Sequence, residues 1–255
     1  MKIENVLTSN WENAFNGMRN PYDSWDKSDS VFGIAPESLK EEILSNNTDR
    51  KSSDIIIRDY PGSAFEYAVL GDQDLDLAQR LIRGGPVHSK FLRQIFISMD
   101  ITAPLYLWKE LDTYKVATAA NSCSTMHTIQ KKPITLDLFE TDDFKPALCE
   151  DWVQNSIIPV LEHLRQKHLE FKQASFNEED PIKATELMKL SDYYWKELIR
   201  WLPEGWLQKR TWTANYETAR NILKWRDPHR LTEWKPICDA LKSLPYAEQL
   251  LMHNN

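Results

Sequence analysis

The sequence predicts an α/β fold in which helices flank a sheet, contained in a single domain over residues 1–255. Three stretches support this class. Apolar and polar residues alternate around Ile95–Ile101 and again over Gln208–Ala214, with the period of a strand. Ala184–Trp201 carries apolar residues three and four positions apart, which is typical of an amphipathic helix. Strands and helices therefore follow one another along the chain, and no repeat or flexible linker divides it.

The N-terminal third is predicted to consist of short elements. Pro36 favours a helix start, and the turn-forming residues of the sequence GMRNPYDSWDKSDS favour an ordered loop. The predicted order is a strand at Lys2–Leu7, a helix at 11–18, the loop at Gly17–Ser30, a helix at 35–50 and a buried strand at Asp54–Arg58.

The remaining elements follow from helix signals and breakers. Gly84 and Gly85 end a helix over Asp74–Arg83, and Pro104 begins another. Residues 133–148 look irregular, and Pro159 predicts a kink or break in the helix that follows them. Later elements are a helix at Glu150–Gln173, a link at Asn177–Asp180, the amphipathic helix, the strand, a helix at Tyr216–Lys224 and a last helix with Leu231, Trp234, Cys238 and Leu241 on one face.

Composition limits the class of protein. Hydrophobic residues make up 42% and charged residues 27%, which is typical of a soluble globular chain. No stretch is long and apolar enough for a membrane span, and the N-terminus has no apolar signal segment, so we expect a cytoplasmic protein. The net charge of −7 argues against duplex nucleic acid as a partner. The three cysteines form no metal pattern, and we expect Cys123 to be a buried thiol.

Tryptophan is abundant. Four of the ten tryptophans lie between Trp195 and Trp212, where a helix and a strand would carry much aromatic surface. A bulky core with subunit contacts is the favoured interpretation, and stacking against a nucleotide base is the alternative. We therefore expect self-association.

One motif precedes the central strand. His88-Ser89-Lys90-Phe91-Leu92-Arg93-Gln94 resembles the His-initiated run of the flavin-dependent thymidylate synthases, with His88 and Leu92 matching and Gln94 replacing a second His. The strand, the turn at Ala103-Pro104 and the next helix follow in the same order. The family's Arg-His-Arg-x-x-Ser signature falls on Thr113–Thr118, where Lys115 keeps a charge and Thr118 keeps the hydroxyl.

The resemblance continues towards the C-terminus. The family has a Leu-Pro motif, a strand, an Asn-Ala-Arg motif and a Leu-Arg motif in this order. The same order is found here in Leu202-Pro203, a strand, Asn215 and Arg226, with Tyr216-Glu217 in place of Ala-Arg. Arg200 lies within one residue of a nucleotide-phosphate arginine of the family. The polar segment Asn121–Ser124 is similar to its Ser-x-Arg segment. The whole chain also resembles a group of proteins from Gram-positive bacteria and their phages.

The resemblance implies a flavin-dependent thymidylate synthase-like sheet, a dUMP-like pyrimidine nucleotide as ligand, FAD as cofactor, and a homotetramer or other homo-oligomer. It implies one-carbon transfer to the pyrimidine if the chain is an enzyme. The alternative is a non-catalytic phage or host protein that binds a nucleotide or a protein partner. The implied roles are catalytic for Arg226, cofactor-binding for His88, Arg93, Gln94 and Lys115, and substrate-binding for Thr118, Asn121, Ser122, Ser124, Arg200 and Asn215. Arg19 is a further substrate-binding candidate from its loop alone, because the Gly17–Ser30 segment has no counterpart in the family.

The residue chemistry leaves alternatives open. The guanidinium group of arginine can donate two parallel hydrogen bonds to a phosphate dianion. A single exposed arginine, however, more often forms a surface ion pair. Ser122 and Ser124 suit a phosphate, or cap a helix. The Gly17–Ser30 loop is either pinned by side-chain hydrogen bonds or acts as a lid whose Arg19 pairs with a ligand.

Overall fold

The α/β architecture predicted from the sequence is present in the computed structural model, which describes residues 1–47, 54–141 and 148–252. One sheet has four strands in the order β1-β5-β7-β6, and a second has three antiparallel strands in the order β2-β4-β3. The strands are β1 (Lys2–Ser9), β2 (Val31–Pro36), β3 (Ile55–Tyr60), β4 (Ala64–Val69), β5 (Phe96–Pro104), β6 (Ala119–Ser122) and β7 (Leu207–Asn215).

Helices account for most of the other described residues. In chain order they are α1 (Trp11–Arg19), α2 (Lys40–Ser45), α3 (Asp72–Arg83), α4 (Leu105–Leu111), α5 (Thr125–Thr128), α6 (Leu148–Trp152), α7 (Ile158–Asn177), α8 (Pro181–Arg200), α9 (Tyr216–Arg226), α10 (Trp234–Lys242) and α11 (Ala247–Leu250). None of the described helices is both long and apolar enough to span a membrane.

Most predicted elements are confirmed within a few residues and one differs, while the short strands β2, β4 and β6 were not predicted. The helix predicted at 35–50 is reduced to a 3₁₀ turn and the six-residue α2, while the end of that prediction lies outside the described residues. The break predicted near Pro159 is present, because a π-helical turn at Val153–Ile157 separates α6 from α7 and Pro159 lies in the first turn of α7.

The chain forms two compact units. The first contains residues 1–2, 101–113 and 121–210, and the second contains residues 3–100, 114–120 and 211–255. The prediction that all of the chain is one domain stays a prediction. The apolar core of the first unit is built from Ile129, Ile134, Phe139, Val153, Ile158, Leu161, Leu198 and Trp206.

Aromatic side chains organise the core of the second unit. Trp11 is 4% exposed and meets the ring of Tyr216 edge-on at 5.0 Å between centroids. The buried Tyr246 hydroxyl accepts a hydrogen bond from the backbone N–H of Leu70 at 2.7 Å, and the Tyr216 hydroxyl donates to the carbonyl of Pro245 at 2.8 Å. These contacts join α1, β4, α9 and the residues before α11. They fix the start of α9 against the core.

A buried ion pair holds the segment after α1. Arg19 is 5% exposed, and its Nε donates to Asp74 Oδ1 at 2.6 Å. The other carboxylate oxygen of Asp74 accepts hydrogen bonds from the hydroxyls of Ser28 and Ser30 at 2.6 and 2.5 Å. Both oxygens of a fully buried carboxylate are therefore satisfied, as a buried charge requires.

The same segment caps a helix. Asp29 accepts hydrogen bonds from the backbone N–H groups of Gln73 and Asp74 in the first turn of α3, at 2.9 and 3.1 Å. Its carboxylate lies so close to Gly71 that a Cβ there would be 2.1 Å from it, so this position requires glycine. The Gly17–Ser30 segment is thus pinned by side-chain hydrogen bonds, as one of the two interpretations of its sequence predicts.

We expect Asp74→Asn to lower the free energy of unfolding by about 3–5 kcal/mol, because it leaves the Arg19 guanidinium buried without its counter-charge. Urea unfolding followed by circular dichroism measures the change. Asp76→Asn is the matched control, since Asp76 is 62% exposed and pairs with the exposed Arg80, and we expect it to cost less than about 1 kcal/mol. Equal effects of the two variants would contradict the role of the buried pair.

Candidate functional site

The candidate site lies in the second unit, where the residues before β5 meet the start of α9. The backbone N–H of Tyr216 donates to the carbonyl of Ile95 at 3.1 Å, which ties the first residue of α9 to the entry of β5. A 3₁₀ turn at Lys90–Arg93 leads into that entry. A main-chain hydrogen bond therefore fixes the start of α9 relative to the entry of β5.

A cavity of about 330 Å³ opens between the 3₁₀ turn and α9. Its volume is at the lower end of the range for small-molecule sites. Arg93, Arg220 and Lys224 contribute positive charge to its lining, and Glu217 contributes negative charge. The other lining residues are Pro86, Ser89, Leu92, Val116, Asn215, Thr218 and Asn221. This excess of cationic groups suits an anionic ligand.

Asn215 lines this cavity and carries an unused side-chain donor. Its Oδ1 accepts a hydrogen bond from the backbone N–H of Thr218 at 2.9 Å, which caps α9 and fixes which end of the amide is oxygen. Its Nδ2 is buried and has no hydrogen-bond partner among the described residues. A buried amide nitrogen without an acceptor costs about 1–3 kcal/mol, so a ligand carbonyl at this position would be stabilised.

Arg93 forms a fork on Glu217. Its Nη2 donates to Glu217 Oε1 at 3.1 Å, and its Nε donates to Glu217 Oε2. The hydrogen bonding raises the pKa of the Arg93 guanidinium, which stays charged at any pH of interest. The cavity therefore contains a guanidinium whose anion-binding edge is held by a carboxylate of the same chain.

A second cavity, of about 880 Å³, lies between the Gly17–Ser30 segment and α3. Two predicted site residues, Arg19 and His88, line it. The Arg19 side chain is engaged by Asp74 and by the carbonyl of Ser24, at 3.3 Å from Nη1. The structure thus separates Arg19 and His88 from Arg93 and Asn215, which line the smaller cavity.

Tyr114 joins two further predicted site residues. Thr118 Oγ1 donates to the carbonyl of Tyr114 at 2.5 Å, and Arg226 Nε donates to the Tyr114 hydroxyl at 2.9 Å. The Arg226 guanidinium also lies over the rings of Tyr114 and Trp234, at 5.6 and 4.9 Å from their centroids. Arg226 is at the opposite end of α9 from Asn215, about 16 Å away at the rise of a helix.

The other predicted residues lie elsewhere. Gln94 and Lys115 are exposed in the second unit, and the Gln94 carbonyl accepts from Asn10 Nδ2 at 2.8 Å. In the first unit, Arg200 pairs with Glu197 at 2.5 Å. Asn121 and Ser122 are exposed at the end of the edge strand β6, and Ser124 precedes α5 without a side-chain cap hydrogen bond.

The expectation of a buried Cys123 thiol is wrong. Cys123 is exposed because it follows β6, the strand at the edge of its sheet, whereas the buried thiol is that of Cys238. Burial raises the pKa of the Cys238 thiol to about 11, so it stays protonated and unreactive at neutral pH. No cluster of His, Cys, Asp and Glu suited to a metal ion occurs among the described residues.

The comparisons with known proteins indicate one fold. A crystal structure of thymidylate synthase X (ThyX) from Helicobacter pylori with FAD and dUMP matches with a TM-score of 0.57, 16% identity and 98% and 97% coverage of the two chains. A second structure of the flavin-dependent thymidylate synthase ThyX from Helicobacter pylori, complexed with FAD and dUMP, matches with a TM-score of 0.53, 16% identity and 98% coverage of each chain. The chain shares the ThyX fold. No protein-family model matches the chain, and no curated protein matches it significantly.

The segment at the ThyX signature position is engaged within the chain. Thr113 Oγ1 donates to the carbonyl of Glu110 at 2.7 Å, and Tyr114 holds both Thr118 and Arg226. Where the ThyX signature has Arg-His-Arg, only Lys115 offers a cationic side chain here. The donor set expected for a flavin dinucleotide therefore does not fit this segment.

Sequence reasoning missed the polar face of α9. Glu217, Arg220, Asn221 and Lys224 line the smaller cavity and recur three and four residues apart. That spacing puts them on one side of a helix, next to the predicted Asn215. The signal was present in the sequence, but it is also typical of an ordinary solvent-exposed helix face.

With dUMP, the nucleotide of both ThyX structures, as the probe, we expect a lower affinity in Asn215→Asp than in wild type while α9 remains capped, because aspartate keeps the acceptor for the Thr218 N–H and loses the amide donor. Asn215→Ala removes both, and should also lower the free energy of unfolding by about 0.5–2 kcal/mol. Calorimetry measures the affinity and urea unfolding measures the stability. Wild-type affinity in Asn215→Asp would contradict the ligand role of the buried donor.

Proposed function

We propose that this chain binds a pyrimidine nucleotide in the cavity lined by Arg93 and Asn215. The observation that supports this most directly is the Asn215 side chain, which lines a cationic cavity and carries a buried amide nitrogen without an acceptor among the described residues. Every pyrimidine base has a ring carbonyl that accepts such a donor. The phosphate of the nucleotide then meets the positive charge of Arg93, Arg220 and Lys224.

The shared fold supports the same ligand class. Both ThyX structures contain dUMP, and the fold match extends over nearly the whole of this chain. A common fold by itself does not carry a ligand from one protein to another, so the proposal depends on the residues of the cavity.

A flavin would supply the redox chemistry that one-carbon transfer to a pyrimidine requires. The segment Thr113–Thr118 does not present the donors for it. We therefore propose nucleotide binding without assigning a reaction. A homo-oligomer, an association with phages and a cytoplasmic location stay predictions.

Calorimetric titration of the full chain with dUMP tests the proposal, and we expect saturable binding with a Kd below about 1 mM. No binding of dUMP would refute the ligand class. Arg226→Ala tests the location, because Arg226 does not line the cavity and its guanidinium is held by Tyr114 and Trp234. We expect its affinity to be unchanged, whereas a loss of about 1.5–3 kcal/mol would place the nucleotide at Arg226.

We expect the purified protein to lose added FAD during gel filtration, because Thr113, Tyr114 and Lys115 replace the Arg-His-Arg of the ThyX signature. The absorbance spectrum of the eluted protein in the flavin bands measures retention. Stoichiometric FAD in the eluate would contradict this prediction and favour an enzyme. A colourless protein that still binds dUMP would favour the non-catalytic alternative.

A further inference from the structure

The Arg93–Glu217 pair has the geometry in which arginine binds phosphate. Two nitrogens of one guanidinium face the two oxygens of one carboxylate, joining the 3₁₀ turn to the first turn of α9. A guanidinium fork receives two phosphate oxygens in the same way, since both anions present paired oxygens. The Glu217 carboxylate thus occupies the position on Arg93 that a phosphate would take.

The pair is also accessible and weak enough to open. The Arg93 side chain is 47% exposed and the Glu217 side chain 28% exposed, although both line the cavity. Ion pairs with this degree of exposure contribute about 0–1 kcal/mol. The Glu217 carboxylate contacts the Arg93 side chain, whereas that of Asp74 is fully buried and holds Arg19 and two serine hydroxyls.

The start of α9 attracts either anion. Glu217 is the acidic residue in its first turn, where the helix dipole favours negative charge. A phosphate dianion that reaches this cavity meets the same helix end and Arg93, in a lining that also includes the cationic Arg220 and Lys224. A dianion competes better for these cationic groups than the singly charged carboxylate does.

We propose that Glu217 acts as an internal substitute for the ligand phosphate and makes the site selective for phosphate monoesters. This inference rests on the proposed function. Without ligand, Glu217 covers the Arg93 fork and reduces the positive charge of the cavity. A nucleoside, which lacks the phosphate, leaves the pair closed, whereas a nucleoside monophosphate displaces the carboxylate and takes its place on Arg93.

The test compares dUMP with deoxyuridine on wild type and Glu217→Gln by calorimetry. Glutamine keeps the side-chain length and removes the charge that competes for Arg93. We expect Glu217→Gln to bind dUMP about tenfold more tightly, roughly 1.4 kcal/mol, with no gain for deoxyuridine. Glu170→Gln is the control for net charge, because it removes the same charge from an exposed pair with Lys167 on α7.

A double-mutant cycle with Arg93→Gln shows whether the gain passes through the fork. We expect Glu217→Gln to have no effect on dUMP affinity in the Arg93→Gln background. Urea unfolding of each variant verifies that it is folded. A structural role for Glu217 would lower stability and would leave the ratio of dUMP to deoxyuridine affinity unchanged.

The outcomes separate the two proposals. If wild type binds dUMP and Glu217→Gln binds it equally or more weakly, the phosphate-substitute role is overturned and nucleotide binding stands. An equal gain for deoxyuridine, or the same gain in Glu170→Gln, also overturns that role. If neither wild type nor Glu217→Gln binds dUMP, both proposals fall.

Discussion

The hydrogen bond from the Tyr216 N–H to the Ile95 carbonyl is the contact on which the candidate site depends. It joins the residue that starts α9 to the residue that precedes β5. Tyr216 is fully buried against Trp11, and its hydroxyl is bound to the Pro245 carbonyl, so the start of α9 cannot shift without disturbing the core. Burial also raises the pKa of the Tyr216 phenol, which therefore remains a neutral donor. Asn215 precedes Tyr216 directly, so these contacts also fix its position.

Two arginine–carboxylate ion pairs in the second unit differ in burial, and this difference gives them different roles. Arg19 and Asp74 are enclosed, and every oxygen of the carboxylate has a donor, so this pair holds a chain segment in place. Arg93 and Glu217 are partly exposed at a cavity, so water screens their attraction and another anion can reach them. The first pair is suited to holding the chain in place, and the second is suited to exchanging its carboxylate for another anion.

The chain shares the ThyX fold but differs from ThyX in the residues at the signature position. The ThyX fold extends over nearly the whole chain, yet Thr113–Thr118 uses its polar groups in internal contacts. Tyr114 and Trp234 enclose the guanidinium of Arg226, which fixes that arginine through cation–π contacts at the far end of α9. A scaffold can therefore persist while the groups that contact a cofactor change.

The sequence by itself determined the longer strands and helices, because hydrophobic periodicity and the breakers Gly84, Gly85 and Pro104 are local properties. It also singled out Arg93 and Asn215 through their places at element ends. It did not predict the short strands β2, β4 and β6. It could not reveal that Glu217 holds Arg93, since those residues are far apart in the chain and meet only when β5 and α9 are packed. Nor could it reveal that Arg19 is neutralised by Asp74, or that Cys123 is exposed at a sheet edge. Such pairings depend on which surfaces the core brings together, and only the tertiary structure decided them.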